Sequence, residues 1–138
     1  MALHASAVLA SRPDELLSTR ELAEMLGISE AHLSKVLQRL AHTGLVHGSR
    51  GPKGGFVLNR ESEKISLLEI YEAIEGPMPT MDCLYDTTIC NRNGCIFGGL
   101  LSKVSQEVRE YFANTNLRQL SETIGSHDGQ VHTQDHPD

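Results

Sequence analysis

The chain has 138 residues, enough for one domain or one domain with an oligomerisation element, and its 39% apolar residues permit a core. Aromatics are only 4% and tryptophan is absent, which disfavours a β-sandwich, and no apolar run approaches the roughly 20 residues that span a bilayer. The net charge of −6 divides unevenly: residues 1–60 hold seven Lys/Arg against five Asp/Glu, and the remainder holds five against thirteen.

Ala2 to Ala10 is apolar with helical spacing and stops before Ser11-Arg12-Pro13; it reads as the second half of a helix whose beginning is missing. This start lacks the basic region of a secretory signal. Ser18 and Glu21 form a capping box for a helix over about 18–26, with Leu22, Ala23 and Leu26 inward and Gly27 at its end. Ile28 plugs the turn. Ser29 is expected to cap the next helix, about 30–43, in which Leu33, Val36, Leu37 and Leu40 repeat at helical spacing up to Gly44. Helix, short glycine-containing turn, helix is the helix-turn-helix pattern, whose second helix enters the major groove. Leu45-Val46, the run Arg50-Gly51-Pro52-Lys53-Gly54-Gly55, and Phe56-Val57-Leu58 then read as two short strands around a basic tip, a wing.

Ser66 and Glu69 form another capping box, for a helix over about 66–75 with Leu67, Ile70, Tyr71 and Ile74 on its apolar side. Gly76-Pro77 ends it. A cysteine-containing loop follows, and from near Gly99 a longer helix carries Leu101, Val104, Val108, Tyr111 and Phe112. Such a stripe has little domain left to cover, so a second copy of the chain is its natural burial site. Asn116 with Gln119 starts a last short helix to about Ile124, and from Gly125 the chain is polar and expected to be disordered. The expected fold is mainly α: a winged helix-turn-helix over 1–76, a cluster-binding loop over 77–98, dimerisation helices over 99–124 and a polar tail over 125–138.

The exposed positions of the second helix, Ser29, Glu30, His32, Ser34 and Lys35, with Arg39 one turn on, carry groups that suit base edges and phosphates. A well-placed bidentate contact discriminates bases by about 1–3 kcal/mol. At the wing tip Arg50 and Lys53 sit among three glycines, which would let the backbone approach a phosphate or a narrow minor groove. The alternatives are a solvated helix face and an ordinary hairpin turn. Arg20 and Arg60 read as solvated or phosphate-neighbouring charges, and His42 and His47 as surface or phosphate contacts. The acidic total does not oppose this, because DNA responds to the local positive face.

Cys83, Cys90 and Cys95 are the only cysteines, separated by six and by four residues. Their odd number and clustering argue for a reducing cytoplasm with metal or redox chemistry over a disulfide framework. Thiolates are preferred ligands of iron–sulfur clusters and of zinc, the competing metal here. The spacing is neither that of zinc ribbons nor that of ferredoxins, and it needs a loop able to wrap around a guest, which Asn91-Arg92-Asn93-Gly94 supplies. Three thiolates fall one short of the usual four ligands; the alternative is three reduced thiols with no shared guest. The tail histidines His127, His132 and His136 read as solvated. No Ser/His/Asp grouping, paired-carboxylate motif or phosphate loop suggests an enzyme.

With these elements in place the chain resembles the Rrf2 family of bacterial winged-helix regulators, and within it the iron–sulfur members. The stretches ALHASAVLA, STRELAEMLGISEAHLSKVLQRLAHTGLV, RGPKGGFVL, ISLLEIYEAIEGP and the three-cysteine loop carry the resemblance over about residues 2–124. It implies a cytoplasmic homodimer crossed through its long C-terminal helix, bound to palindromic promoter DNA, with operator affinity set by an iron–sulfur cluster, 2Fe–2S ahead of 4Fe–4S. It places Ser29, Glu30, His32, Ser34, Lys35, Arg39, Arg50 and Lys53 on the family's DNA-contact regions, and Cys83, Cys90 and Cys95 on its cluster cysteines. The middle cysteine is displaced by one position relative to that pattern. Where some members have a histidine three residues after the last cysteine, this chain has Gly98. An acidic ligand that others take from near the partner's N-terminus would precede the start of this chain. His4 is similar in position to a histidine ligand of a redox-sensing relative and is the candidate fourth ligand; its alternative is a surface or core histidine. Two other functions stay open: a cluster-free regulator acting by thiol oxidation or a protein partner, and a metal-binding protein-interaction module.

Overall fold

The structure is a computed structural model that describes residues 1–85, 90 and 95–124. The loop run 91–94, the tail histidines and the expected disorder from Gly125 lie outside the described residues. Among these, the order is α1 (Ala2–Ser11), α2 (Thr19–Leu26), α3 (Glu30–His42), β1 (Val46–Ser49), β2 (Gly55–Leu58), α4 (Leu67–Glu75), α5 (Leu100–Asn114) and α6 (Leu117–Ile124), with a 3-10 turn at Ser62–Lys64. None of these helices is long and apolar enough to cross a membrane.

The local chemistry explains the boundaries. At α2 the Ser18 hydroxyl accepts from the Glu21 N–H at 3.2 Å, while the Glu21 carboxylate accepts from the Ser18 N–H at 2.8 Å. Gly27 ends α2 at φ 64°, a left-handed turn that glycine adopts without a Cβ clash. Ser29 holds the N-cap position of α3 with extended backbone, but its hydroxyl accepts no bond from the helix, contrary to the expected cap. An exposed helix start can leave its amides to solvent. At α4 the Ser66 hydroxyl accepts from the Glu69 N–H at 3.1 Å, whereas the Glu69 carboxylate pairs with Arg60. Asn116 and Gln119 form a reciprocal pair at the start of α6, at 2.9 and 3.0 Å.

β1 and β2 pair antiparallel, with Val46 opposite Leu58 and Ser49 opposite Gly55. Leu17, between α1 and α2, exchanges two backbone bonds with Phe56 and so ties the hairpin to the helical body. The core takes Leu22 of α2, Leu33, Leu37 and Leu40 of α3 and Ile70 of α4, and α1 lies within it, with Ala5 through Leu9 all buried. Each leucine or isoleucine side chain among these stabilises the fold by roughly 1.5–3 kcal/mol when taken from water.

The last two described helices sit differently from each other. After α5, Leu67 N–H bonds to the Thr115 carbonyl at 3.0 Å and Leu117 N–H to the Ile65 carbonyl at 2.8 Å, which returns the chain to the body. α6 then packs on α1, and Leu117 is fully buried. α6 is therefore part of the same core as α1 to α4. α5 contributes no buried residue of its own.

Candidate functional site

Helical periodicity places the candidate residues. Leu33, Leu37 and Leu40 turn one side of α3 into the core, which leaves Ser29, Glu30, His32, Lys35 and Arg39 exposed and Ser34 half-buried. The Ser34 hydroxyl accepts from Gln38 Nε2 at 3.4 Å, one turn on. Arg50 and Lys53 are exposed at the tip of the hairpin. A shallow hollow of about 280 Å³ is lined by Ser18 and Arg20 at the start of α2, Glu30 at the start of α3, and Ser49, Gly54 and Phe56 of the wing. The start of α3 and the wing thus border one concavity.

The charges on this side are not equivalent. Arg20 is paired with Glu24 at 3.0 Å, and the hydrogen bond and charge of Glu24, then the charge of Glu30, raise its pKa further. Arg60 is paired with Glu69. Both guanidiniums are exposed and paired with carboxylates. Lys35, Arg50 and Lys53, in contrast, make no ion pair among the described residues. Among the described residues these three cations of α3 and the wing are therefore unpaired, with Glu30 as the acidic residue at the start of α3. His42 is exposed in the last turn of α3, and His47 is exposed on β1.

Two expectations change in detail. Arg39 is exposed, yet its Nη1 donates to the Ile74 carbonyl at 2.8 Å, so the guanidinium is engaged within the protein. The glycines of the wing answer first to internal packing. A Cβ on Gly54 would lie 2.2 Å from the Ser49 carbonyl oxygen, and one on Gly55 would lie 2.7 Å from the carbonyl of Leu17. Only Gly51, at φ 115° with open space beside it, matches a tip shaped by backbone freedom alone.

Cys83, Cys90 and Cys95 are free and exposed, and His4 is exposed on α1. Among the described residues no three His, Cys, Asp or Glu side chains stand close enough to share a metal ion. The donor set is chemically suited to a thiophilic guest, but among the described residues the three thiols and His4 are not gathered into one site. Ligand order and metal binding are coupled when thiolates must deprotonate to bind.

Sequence reasoning missed what fastens the approach to Cys83. Glu72 Oε1 accepts from the Met78 N–H at 3.1 Å and from Arg109 Nη1 at 3.3 Å, and Arg109 also donates to the Met78 carbonyl at 3.2 Å. Ser105 Oγ accepts from the Met81 N–H at 3.1 Å, and Ser102 Oγ donates to the Asp82 carboxylate at 2.7 Å. The available signal was the helical spacing of Ser102, Ser105 and Arg109, which share the half-buried side of α5 with Leu101 and Phe112.

A family model described as Rrf2, iron-dependent transcriptional regulator, matches residues 1–123. A protein of Aquifex aeolicus named as an HTH-type transcriptional regulator is 30% identical over 122 residues, covering 86% of this chain and 85% of its own. The HTH-type transcriptional regulator NsrR of Bacillus subtilis is 33% identical over 107 residues, covering 75% and 70%. The solved structure of CymR (YrzC), the global cysteine regulator of B. subtilis, is similar with a TM-score of 0.73 at 27% identity, covering 88% of this chain and 91% of that one. T. potens IscR is similar in fold, with a TM-score of 0.70 at 23% identity over 94% and 88%.

Proposed function

Since the chain belongs to the Rrf2 family of transcriptional regulators, we propose that it is a cytoplasmic bacterial homodimer that binds palindromic promoter DNA and acts by binding rather than by catalysis. The observation that carries this reading is that Lys35, Arg50 and Lys53 are exposed and make no ion pair among the described residues, on a helix and a wing that border one concavity. Ser29, Glu30, His32, Ser34 and Lys35 supply the base-edge and phosphate groups of the recognition helix, and Arg50 and Lys53 supply the wing's phosphate or minor-groove contacts. The second copy covers the exposed apolar face of α5.

The regulatory input is the cysteine segment. Cys83, Cys90 and Cys95 would hold an iron–sulfur cluster, 2Fe–2S ahead of 4Fe–4S, with His4 as candidate fourth ligand. When bound, the cluster supplies a redox- and ligand-sensitive centre. The protein's part would be to carry a change at the cysteines to the DNA-binding helix, and a tenfold change in operator affinity needs only about 1.4 kcal/mol of differential stabilisation. A second reading is favoured by the exposed, ungathered thiols and by the likeness to CymR: a cluster-free regulator in which oxidation of the cysteines is the signal.

One experiment tests these together. Anaerobically purified protein is assayed for iron, sulfide and visible absorption, then used to select duplexes from a random-sequence pool. The cluster reading expects a coloured protein that Cys90→Ala bleaches. Colourless protein whose operator affinity falls with oxidant and returns with dithiothreitol selects the thiol reading. For the DNA reading, Arg50→Ala with Lys53→Ala lowers the salt dependence of log affinity by about two; binding with an unchanged slope rejects the wing as a phosphate contact.

A further inference from the structure

The last turn of α4 is gripped from two sides. Its Ile74 carbonyl accepts from Arg39 of α3 at 2.8 Å, where end-of-helix carbonyls lack intrahelical partners and the helix dipole favours a cation. Half a turn earlier, Glu72 accepts from Arg109 of α5 and from the Met78 N–H. Tyr71 meets Phe112 edge to face, with ring centroids 6.0 Å apart, so α4 and α5 are packed together here. Beyond Met78 the chain stays on α5 through Met81–Ser105 and Asp82–Ser102, and the next residue is Cys83. Hydrogen bonds thus fasten the residues before Cys83 to one face of α5 and to Glu72, and the backbone of the last turn of α4 joins Glu72 to the Ile74–Arg39 bond on α3.

We propose that the C-terminal turn of α4 is the mechanical link between the 78–82 segment and the recognition helix, with Arg39 and Arg109 as its two positioning residues. This rests on reading the chain as a DNA-binding regulator, and it gives Arg39 a different task from the phosphate contact expected of its position. Displacement of Cys83 moves Asp82 and Met81, which are fastened to α5. Arg109 passes the strain to Glu72, and the Ile74–Arg39 bond carries it to α3. Lys35 and the wing cations remain the phosphate contacts.

The test is a double-mutant cycle in operator affinity, using the full chain and a duplex that the wild type selects from a random pool. Arg39→Gln and Arg109→Gln each weaken binding by about fivefold. The double variant is no weaker than Arg39→Gln alone, because both cut one link, whereas independent sites would multiply. Arg39→Lys, which keeps a donor for the Ile74 carbonyl, restores affinity to within about twofold. The salt dependence of Arg39→Gln matches the wild type. Multiplicative effects, or a salt slope reduced by about one in Arg39→Gln, would overturn the proposal and make Arg39 a phosphate contact.

Amide hydrogen exchange supplies a DNA-free arm. Ser105→Ala removes one anchor of the segment on exposed α5, and exchange in the last turn of α3 rises by about fivefold. No change there overturns the link even if the cycle variants fail to fold. If the wild type selects no duplex, the DNA-binding reading fails separately, and the exchange result still decides the link.

Discussion

Gly55 sits where the wing meets the helical body, and the carbonyl of Leu17 occupies the space a side chain would need. Leu17 cannot yield easily, because its own amide and carbonyl pair with Phe56 at 3.1 and 2.8 Å. Gly55→Ala is expected to destabilise the fold by about 1–3 kcal/mol, read as a lower urea midpoint with unchanged slope. Ser6 presents the reverse case. Its hydroxyl is buried in α1 without a hydrogen-bond partner among the described residues, so Ser6→Ala removes an unsatisfied group and is expected to raise stability by about 1 kcal/mol in the same assay. A loss of stability would show that the hydroxyl has a partner in solution. The residue scale is also where the sequence was least informative. Periodicity says which side of α3 Arg39 leaves from, but not that its guanidinium reaches a carbonyl 35 residues further along the chain.

At the scale of elements, three polar pairs with the same spacing have different fates. Ser18–Glu21 and Asn116–Gln119 close reciprocally, while Ser66–Glu69 is half closed because Arg60 takes the carboxylate. The Ser18 hydroxyl and then its N–H hold the Glu21 carboxyl below the ordinary glutamate range. A carboxyl depressed in the folded state stabilises above its unfolded pKa, about 4.3, and that contribution is lost as pH falls through the lower folded value. Ser18→Ala should therefore lower Tm at pH 7, with the deficit shrinking below about pH 4. A deficit independent of pH would remove Glu21 from the cap. Helix starts, the turn and the wing were all legible at this scale, because each is specified by residues within a few positions of one another. The stitching of residues 78–82 to α5 was not, since Asp82 and Ser102 are 20 positions apart.

At the scale of the molecule, the two last helices part company. Leu117 is fully buried where α6 closes on α1, so Leu117→Ala should cost about 2–5 kcal/mol of unfolding free energy. α5 instead leaves Leu100, Val104, Val108 and Tyr111 between 43% and 63% exposed along one face, opposite the face that holds Met81 and Asp82. If a second copy covers that face, Val108→Glu converts the dimer to monomer in sedimentation and weakens operator binding, while far-ultraviolet circular dichroism keeps the helical signature. A Val108→Glu protein that sediments as the wild type does would reject α5 as the dimer seam. Both helices show an apolar stripe in the sequence. A stripe states that something must be covered, but not by which surface.

Local pattern alone determined the helix-turn-helix, the hairpin with its basic tip and the family resemblance, because capping chemistry, turn glycines and a 3.6-residue repeat act over a handful of neighbouring residues. It also assembled the thiols, as a matter of composition. Only the tertiary structure decided that α6 belongs to the core, that Gly54 and Gly55 answer to internal packing, and that Arg39 spans α3 and α4. Those outcomes depend on which distant segments come together, and burial and hydrogen bonding across such separations leave no periodic trace in the chain.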